Sequence, residues 1–209
     1  MTTQSRVAGQ VLIVSAASGA GKSSLLSALR ERMPELAVAV SHTTRAPRPG
    51  EENGRHYHFV EMASFEAMIA ADAFIEHAEV FGNRYGTARS SVESLLAEGR
   101  DVIVEIDWQG ARRVREVLPG SASIYIAPPS RDALEQRLRA RGQDSDAVIA
   151  GRMAQARSEL IHWHEYDYLV VNDDFEVAAE DLVAIVRAQR LSRERQAVTQ
   201  SELLESLLA

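Results

Sequence analysis

The stretch VLIVSAASGAGKSS, Val11 to Ser24, decides the architecture. An apolar tetrad runs into a loop of Ala16, Ala17, Ser18, Gly19, Ala20 and Gly21, then into Lys22, Ser23 and a helix-like continuation to Met33. A buried strand followed by a loop almost without side chains lets backbone N–H groups converge on an anion, and the dipole of the next helix faces the same point. Lys22 adds a point charge and Ser23 a hydroxyl for a metal. The spacing matches G-x-x-x-x-G-K-[ST] with Ala16 at its first position, which requires only that this residue avoid positive φ. The loop therefore implies binding of a nucleoside triphosphate.

Outward from the loop, short apolar runs alternate with helical periodicity. Strands are expected at 11–15, 101–107, 123–129 and 166–174, and helices at 23–33 and through "FEVAAEDLVAIVRAQRL", capped by Asp174 or a neighbour. This pattern gives an α/β fold with a mostly parallel sheet, flanked by helices, and ligands at the carboxyl ends of its strands. Two segments break the alternation. Residues 36–90 mix short strands with a Pro/Gly/Arg-rich loop and a helix around "SFEAMIAADAF", and read as a partly antiparallel insert. Residues 131–156 form two helical pieces around Gly142 with five arginines, and read as a mobile lid. The core is then 1–35, 91–130 and 157–209 of a single domain, ending in a tail helix.

Composition sets the outer bounds. The chain has 209 residues, 45% hydrophobic and 25% charged, as in an ordinary globule. A net charge of -7 argues against a nucleic-acid or membrane surface as partner. With no cysteine, thiol catalysis and cysteine-ligated zinc are excluded. No apolar run reaches the roughly 20 residues of a membrane span. The first residues faintly imitate a signal peptide, but Gln10 interrupts the apolar run and cleavage near Ala17 would cut the loop. A cytoplasmic location is the expectation.

Further constellations carry chemistry. In "SHTTRAPRPGEENGRHYHF", Arg45 and Arg48 with Tyr57 suit a second phosphate group, because guanidinium forks match phosphate oxygens. His56 and His58 alternate on an expected strand and would face one way, but no third metal ligand stands near them. In "FIEHAEVFGNRYGT", Glu76 sits in an apolar run ahead of Tyr85 and Thr87. A carboxylate there satisfies the N1–H and N2–H₂ donors of guanine, and hydroxyls such as Ser41 or Thr87 serve its O6 acceptor. Glu105 and Asp107 are two apart at a strand end, hence on one face, where a magnesium ion or its waters need an acid. Arg137 and Arg141 share a helical face and Arg152 follows, a set suited to the charge that builds up in phosphoryl transfer.

Together these segments resemble the guanylate kinase family, closest to its bacterial members, in their order and spacing over about residues 11–190. The resemblance implies a P-loop nucleoside-monophosphate kinase that transfers the ATP γ-phosphoryl group to GMP with Mg²⁺. It makes 36–90 the GMP-binding insert and 131–156 the lid. GMP contacts fall on Ser41, Arg45, Arg48, Tyr57, Glu76, Tyr85, Thr87 and Asp107. ATP contacts fall on Ala16 to Ser23 and on Asn172, beside the adenine. Lys22, Arg137, Arg141 and Arg152 are the catalytic candidates, and Ser23, with Glu105 or Asp107 through water, the metal-holding ones. The family usually carries Asp where this chain has Glu105, and often Ser at Thr87. The implied partners are ATP and GMP, with dGMP as an alternative acceptor, in a monomer or homo-oligomer. Guanylate-kinase-like scaffold modules lack parts of the phosphate loop, whereas Lys22, Ser23 and the lid arginines are present here. A kinase for thymidylate or adenylate is disfavoured by the pairing of Glu76 with Ser41.

Overall fold

The computed structural model describes residues 9–80, 82–140 and 145–209. Its centre is a five-stranded, wholly parallel sheet. The strands are β1 (Val11–Ala16), β2 (Ala37–Val38), β7 (Val102–Glu105), β8 (Ala122–Ala127) and β9 (Tyr168–Val171), in the order β2-β7-β1-β8-β9. The expected strands are all there; β1 runs one residue past its expected end, and the other three are shorter than their apolar runs. Burial explains their composition: Leu12, Ile13, Val14, Ile103, Ile124 and Ile126 are enclosed on both faces, as a sheet covered by helices requires.

One layer is α1 (Lys22–Arg32) and α7 (Phe175–Arg190), whose Leu25, Leu26, Leu29, Leu182 and Val186 pack on the sheet. Asp174 caps α7 as expected, accepting from the N–H groups of Glu176 and Val177. The other layer is α3 (Arg89–Ala97) and α4 (Trp108–Val117), through Val92, Ala111 and Val114. The tail is two helices, α8 (Arg193–Thr199) and α9 (Ser201–Leu208), where one was expected.

A second sheet holds β3 (His42–Thr43), β4 (His58–Phe59), β5 (Phe74–Val80) and β6 (Asn83–Ala88), in the order β4-β3-β6-β5. It is partly antiparallel, as expected: β3 pairs parallel with β4 and antiparallel with β6, which pairs antiparallel with β5. The insert expected from residue 36 starts later, because Ala37–Val38 joins the large sheet beside β7. The helix of this segment, α2 (Met62–Ala70), stops before Phe74, which opens β5. The segment 131–156 contains α5 (Arg131–Ala140) and most of α6 (Asp146–Leu160). These helices pack on the first loop: Leu134, Leu138 and Ala156 enclose Ala17.

Candidate active site

The strand β1 ends at Ala16, so the first position of the loop motif is still extended backbone and tolerates alanine. Positive φ falls on Gly19 and Gly21, at 92° and 94°. Glycine is required at Gly21 on a second ground: a Cβ there would stand 2.3 Å from Asn172 Nδ2. Asn172 is buried and donates that amide to Ala20 O at 2.7 Å, while Arg137 donates to Asn172 O at 2.8 Å. Both residues, expected to contact nucleotide, brace the loop from behind in this structure. Within the loop, Ala20 N–H donates to Ala17 O at 3.0 Å and Ser18 N–H to Glu159 Oε2 at 3.0 Å. An anion is therefore left the amides at the start of α1, whose first-turn N–H groups have no acceptor within the helix.

Lys22 reaches forward to Glu105 Oε2 at 3.7 Å. The register Val14↔Glu105 explains the meeting, since the two strand ends lie side by side where the loop begins. Asp107 lies beyond the end of β7, a correction to the expected strand 101–107. It is the N-cap of α4 and accepts from Gly110 N–H at 2.9 Å. Glu105 and Asp107 nevertheless line one cavity of about 380 Å³.

That cavity is where the separate motifs converge. Its walls include Ala16 to Gly19 and Gly21 to Ser24 from the loop, Ser41, Arg48, Tyr57, Glu76 and Tyr85 from the second sheet, and Glu105, Asp107 and Glu159. A larger cleft of about 880 Å³ shares Ser23, Ser41, Arg48, Tyr57, Tyr85 and Glu105 with it and adds Arg45 and Glu51. Arg45 is held in a fork by Glu51 at 2.8 and 2.9 Å and lies 5.5 Å from the Tyr57 ring centre. Glu51 also accepts from Arg48 N–H at 2.7 Å. It organises both arginines, and the surrounding "RPGEE" carried no signal distinguishing it from an ordinary solvated acid.

Glu76 is 4% exposed. Three successive β5 residues, Phe74, Ile75 and Glu76, are buried, which a regular strand cannot do on one face. A register shift between Phe74 and Glu76 explains it, because a bulge re-aims the carboxylate inward. Thr87 Oγ1 donates to Glu76 Oε1 at 2.6 Å, and Oε2 occupies space that Gly110 leaves: a Cβ at that glycine would stand 2.7 Å from it. Burial pushes the Glu76 carboxyl up to about 7, partly offset by the Thr87 hydrogen bond and reinforced by Asp107. Because Thr87 gives its only proton to Glu76, it positions the carboxylate and has none left for a ligand acceptor. Ser41, with Oγ 3.4 Å from Thr87 Oγ1, lines the cavity itself.

Of the lid arginines, Arg152 lies on α6 and Arg141 outside the described residues. The two histidines expected on one strand separate: His56 is in a turn, accepting from Glu52 N–H at 3.0 Å, and His58 stacks on His42 with ring centres 4.6 Å apart. Among the described residues no helix is long and apolar enough to cross a membrane.

Comparison with known proteins agrees with this arrangement. The family model "Guanylate kinase" matches residues 8–189. Guanylate kinases of Shewanella sp. (strain MR-7) and Salmonella typhimurium are each 57% identical to this chain, over 96% of it and 98% of their own length. That of Methylococcus capsulatus is 58% identical with the same coverage. The crystal structure of guanylate kinase from Anaplasma phagocytophilum superposes with a TM-score of 0.78 at 34% identity, covering 96% of both chains. The chain belongs to the guanylate kinase family, ATP-dependent nucleoside-monophosphate kinases that phosphorylate GMP to GDP.

Proposed function

We propose that the 380 Å³ cavity is the transfer site, with the ATP phosphates over Ala16–Ser23 and the guanine of GMP against Glu76. The observation that carries this reading is that one cavity joins the loop to a buried carboxylate on a different sheet. Its ends match the two ends of the reaction. At one, Lys22 and the first-turn amides of α1 face anionic oxygens as the γ-phosphoryl group moves. At the other, ionised Glu76 accepts from guanine N1–H and N2–H₂, and Ser41 donates to O6. Arg45, Arg48, Tyr57 and Tyr85 hold the GMP phosphate between the two, with its attacking oxygen directed at the loop. Arg137, Arg141 and Arg152 act from the lid, with Arg137 bracing the loop. Asn172 serves the ATP side through the same bracing contact.

The oxygen set fits a hard divalent cation: Ser23 Oγ and the Glu105 and Asp107 carboxylates line the cavity around Lys22. Mg²⁺ held there, directly or through water, would offset triphosphate charge. The segment 42–88 is the GMP-binding subdomain and 131–156 the lid. ATP as co-substrate fits a cytoplasmic enzyme.

A coupled assay of ADP release with GMP, dGMP, AMP, UMP, CMP and dTMP tests the reading. GMP should exceed AMP by at least a thousandfold in kcat/KM, because an unpaired buried polar group rejects the wrong base strongly. Comparable turnover of AMP would refute the assignment of Glu76.

A further inference from the structure

Glu159 is absent from the roles above, yet it meets the loop directly. It stands in the last turn of α6, and its Oε2 accepts from Ser18 N–H at 3.0 Å. Its Oε1 accepts from Gln155 Nε2 at 3.1 Å, one turn back along the helix. One turn further back is Arg152, seven residues from Glu159 and therefore on the same face. Ala156, between them, is fully buried against Ala17. The C-terminal half of α6 is thus fastened to the loop twice, by apolar packing and by a carboxylate on a loop amide. Its N-terminal half lies beyond that anchor.

We propose that Glu159 is a positioning residue: its hydrogen bond to Ser18 N–H is the pivot that sets the orientation of α6, and so of Arg152, relative to the loop. This rests on the reading of the cavity as the transfer site. Burial raises the Glu159 carboxyl, and the hydrogen bond from Ser18 N–H opposes it most. The geometry needs an acceptor oxygen rather than a charge. A glutamine would serve: its oxygen accepts from Ser18, and once the Gln155 amide turns over, its own amide donates to Gln155 Oε1, which is buried without a partner among the described residues.

The test is a double-mutant cycle on the whole enzyme, with kcat, both KM values and Tm read for each protein. Glu159→Ala should lower kcat about tenfold and leave KM for GMP within twofold, while Glu159→Gln keeps kcat within threefold. In the Arg152→Ala background, Glu159→Ala should lower kcat by less than twofold, since the arginine it orients is gone. Tm readings confirm that the variants compared are folded at the assay temperature. Full additivity, or a Glu159→Gln defect as deep as that of Glu159→Ala, would overturn the proposal. If Arg152→Ala alone leaves kcat unchanged, the lid role of Arg152 fails first and the pivot falls with it; if Arg152→Ala is crippled and the cycle is additive, only the pivot fails.

Discussion

Replacing Glu76 by glutamine keeps the size of the side chain and changes one acceptor into a donor. The structure fixes which way the amide must point. Thr87 Oγ1 donates to Oε1 at 2.6 Å, so the single remaining oxygen is drawn there and the NH₂ group is turned towards the guanine donors. Donor then faces donor in a site only 4% exposed, where water cannot repair the mismatch. The loss for GMP should be about 2–4 kcal/mol in kcat/KM, roughly 30- to 1000-fold. AMP presents neither N1–H nor a 2-amino group, so its weak turnover should hold or rise. Side-by-side kcat/KM for GMP and AMP measures the ratio, and equal losses for both would refute base reading by Glu76.

The same substitution has a signature in pH. Burial raises the Glu76 carboxyl to about 7 from an ordinary 4.5. Because the folded value is raised, the stability this group contributes is full below about 4.5 and lost as pH rises through about 7. That difference corresponds to about 3 kcal/mol. Without nucleotide, the stability of wild type minus that of Glu76→Gln should fall between pH 5 and pH 8. Binding has the opposite sense, since guanine needs the ionised form. The GMP KM should rise as pH drops from 8 to 6, and more steeply in wild type than in Glu76→Gln, where the base-facing carboxyl no longer titrates.

Lys22→Ala should cost kcat on the order of 3 kcal/mol, a hundredfold or more, with the fold unchanged by circular dichroism; activity within threefold of wild type would remove the loop from the mechanism. Gly110→Ala should put a Cβ 2.7 Å from Glu76 Oε2. The flexible carboxylate gives way, so the GMP KM should rise about tenfold while the ATP KM holds. Asp101→Ala should destabilise by about 2–3 kcal/mol, the loss of hydrogen bonds to a charged group, without lowering kcat of the folded fraction. Asp101 is buried among Arg190 Nε at 2.7 Å, Arg195 Nη2 at 2.9 Å and Gln10 N–H at 2.9 Å, and its removal leaves Arg190 only Glu35 and Arg195 only Gln10 among the described residues, far from the cavity. Denaturant titration checks the first statement and kcat the second.

The parallel core was legible because a sheet covered on both faces demands runs of Val, Ile and Leu, and such runs survive in sequence as uninterrupted apolar strings. Boundaries were less legible. "DVIVEID" reads as one strand to Asp107, but the ladder ends at Glu105 and the last acid becomes a cap. Sequence could pick Glu76 as unusual from its apolar neighbours, but the bulge that turns it inward has no local residue signature, since it arises from pairing with β6. Asn172 and Arg137 stand out in sequence by position alone, whereas in the structure both donate to one loop carbonyl, Ala20 O, and Arg137 also to Asn172 O, a distinction only three-dimensional packing draws.

The residues missed altogether, Glu51, Gly110 and Glu159, have one property in common: each acts on a site residue rather than on a ligand. Glu51 forks Arg45, Gly110 makes room for Glu76, and Glu159 holds Ser18. Motif reading looks for groups whose chemistry suits a substrate, and acids that bind only protein atoms look the same as solvated surface charge. Yet the tolerances of the site depend on them, because a donor or carboxylate displaced by about 1 Å loses much of its effect on a transition state. A site of this kind is therefore written twice in the chain: once in motifs that face the nucleotides, and once in scattered side chains that become recognisable when the strands and helices bring them to their partners.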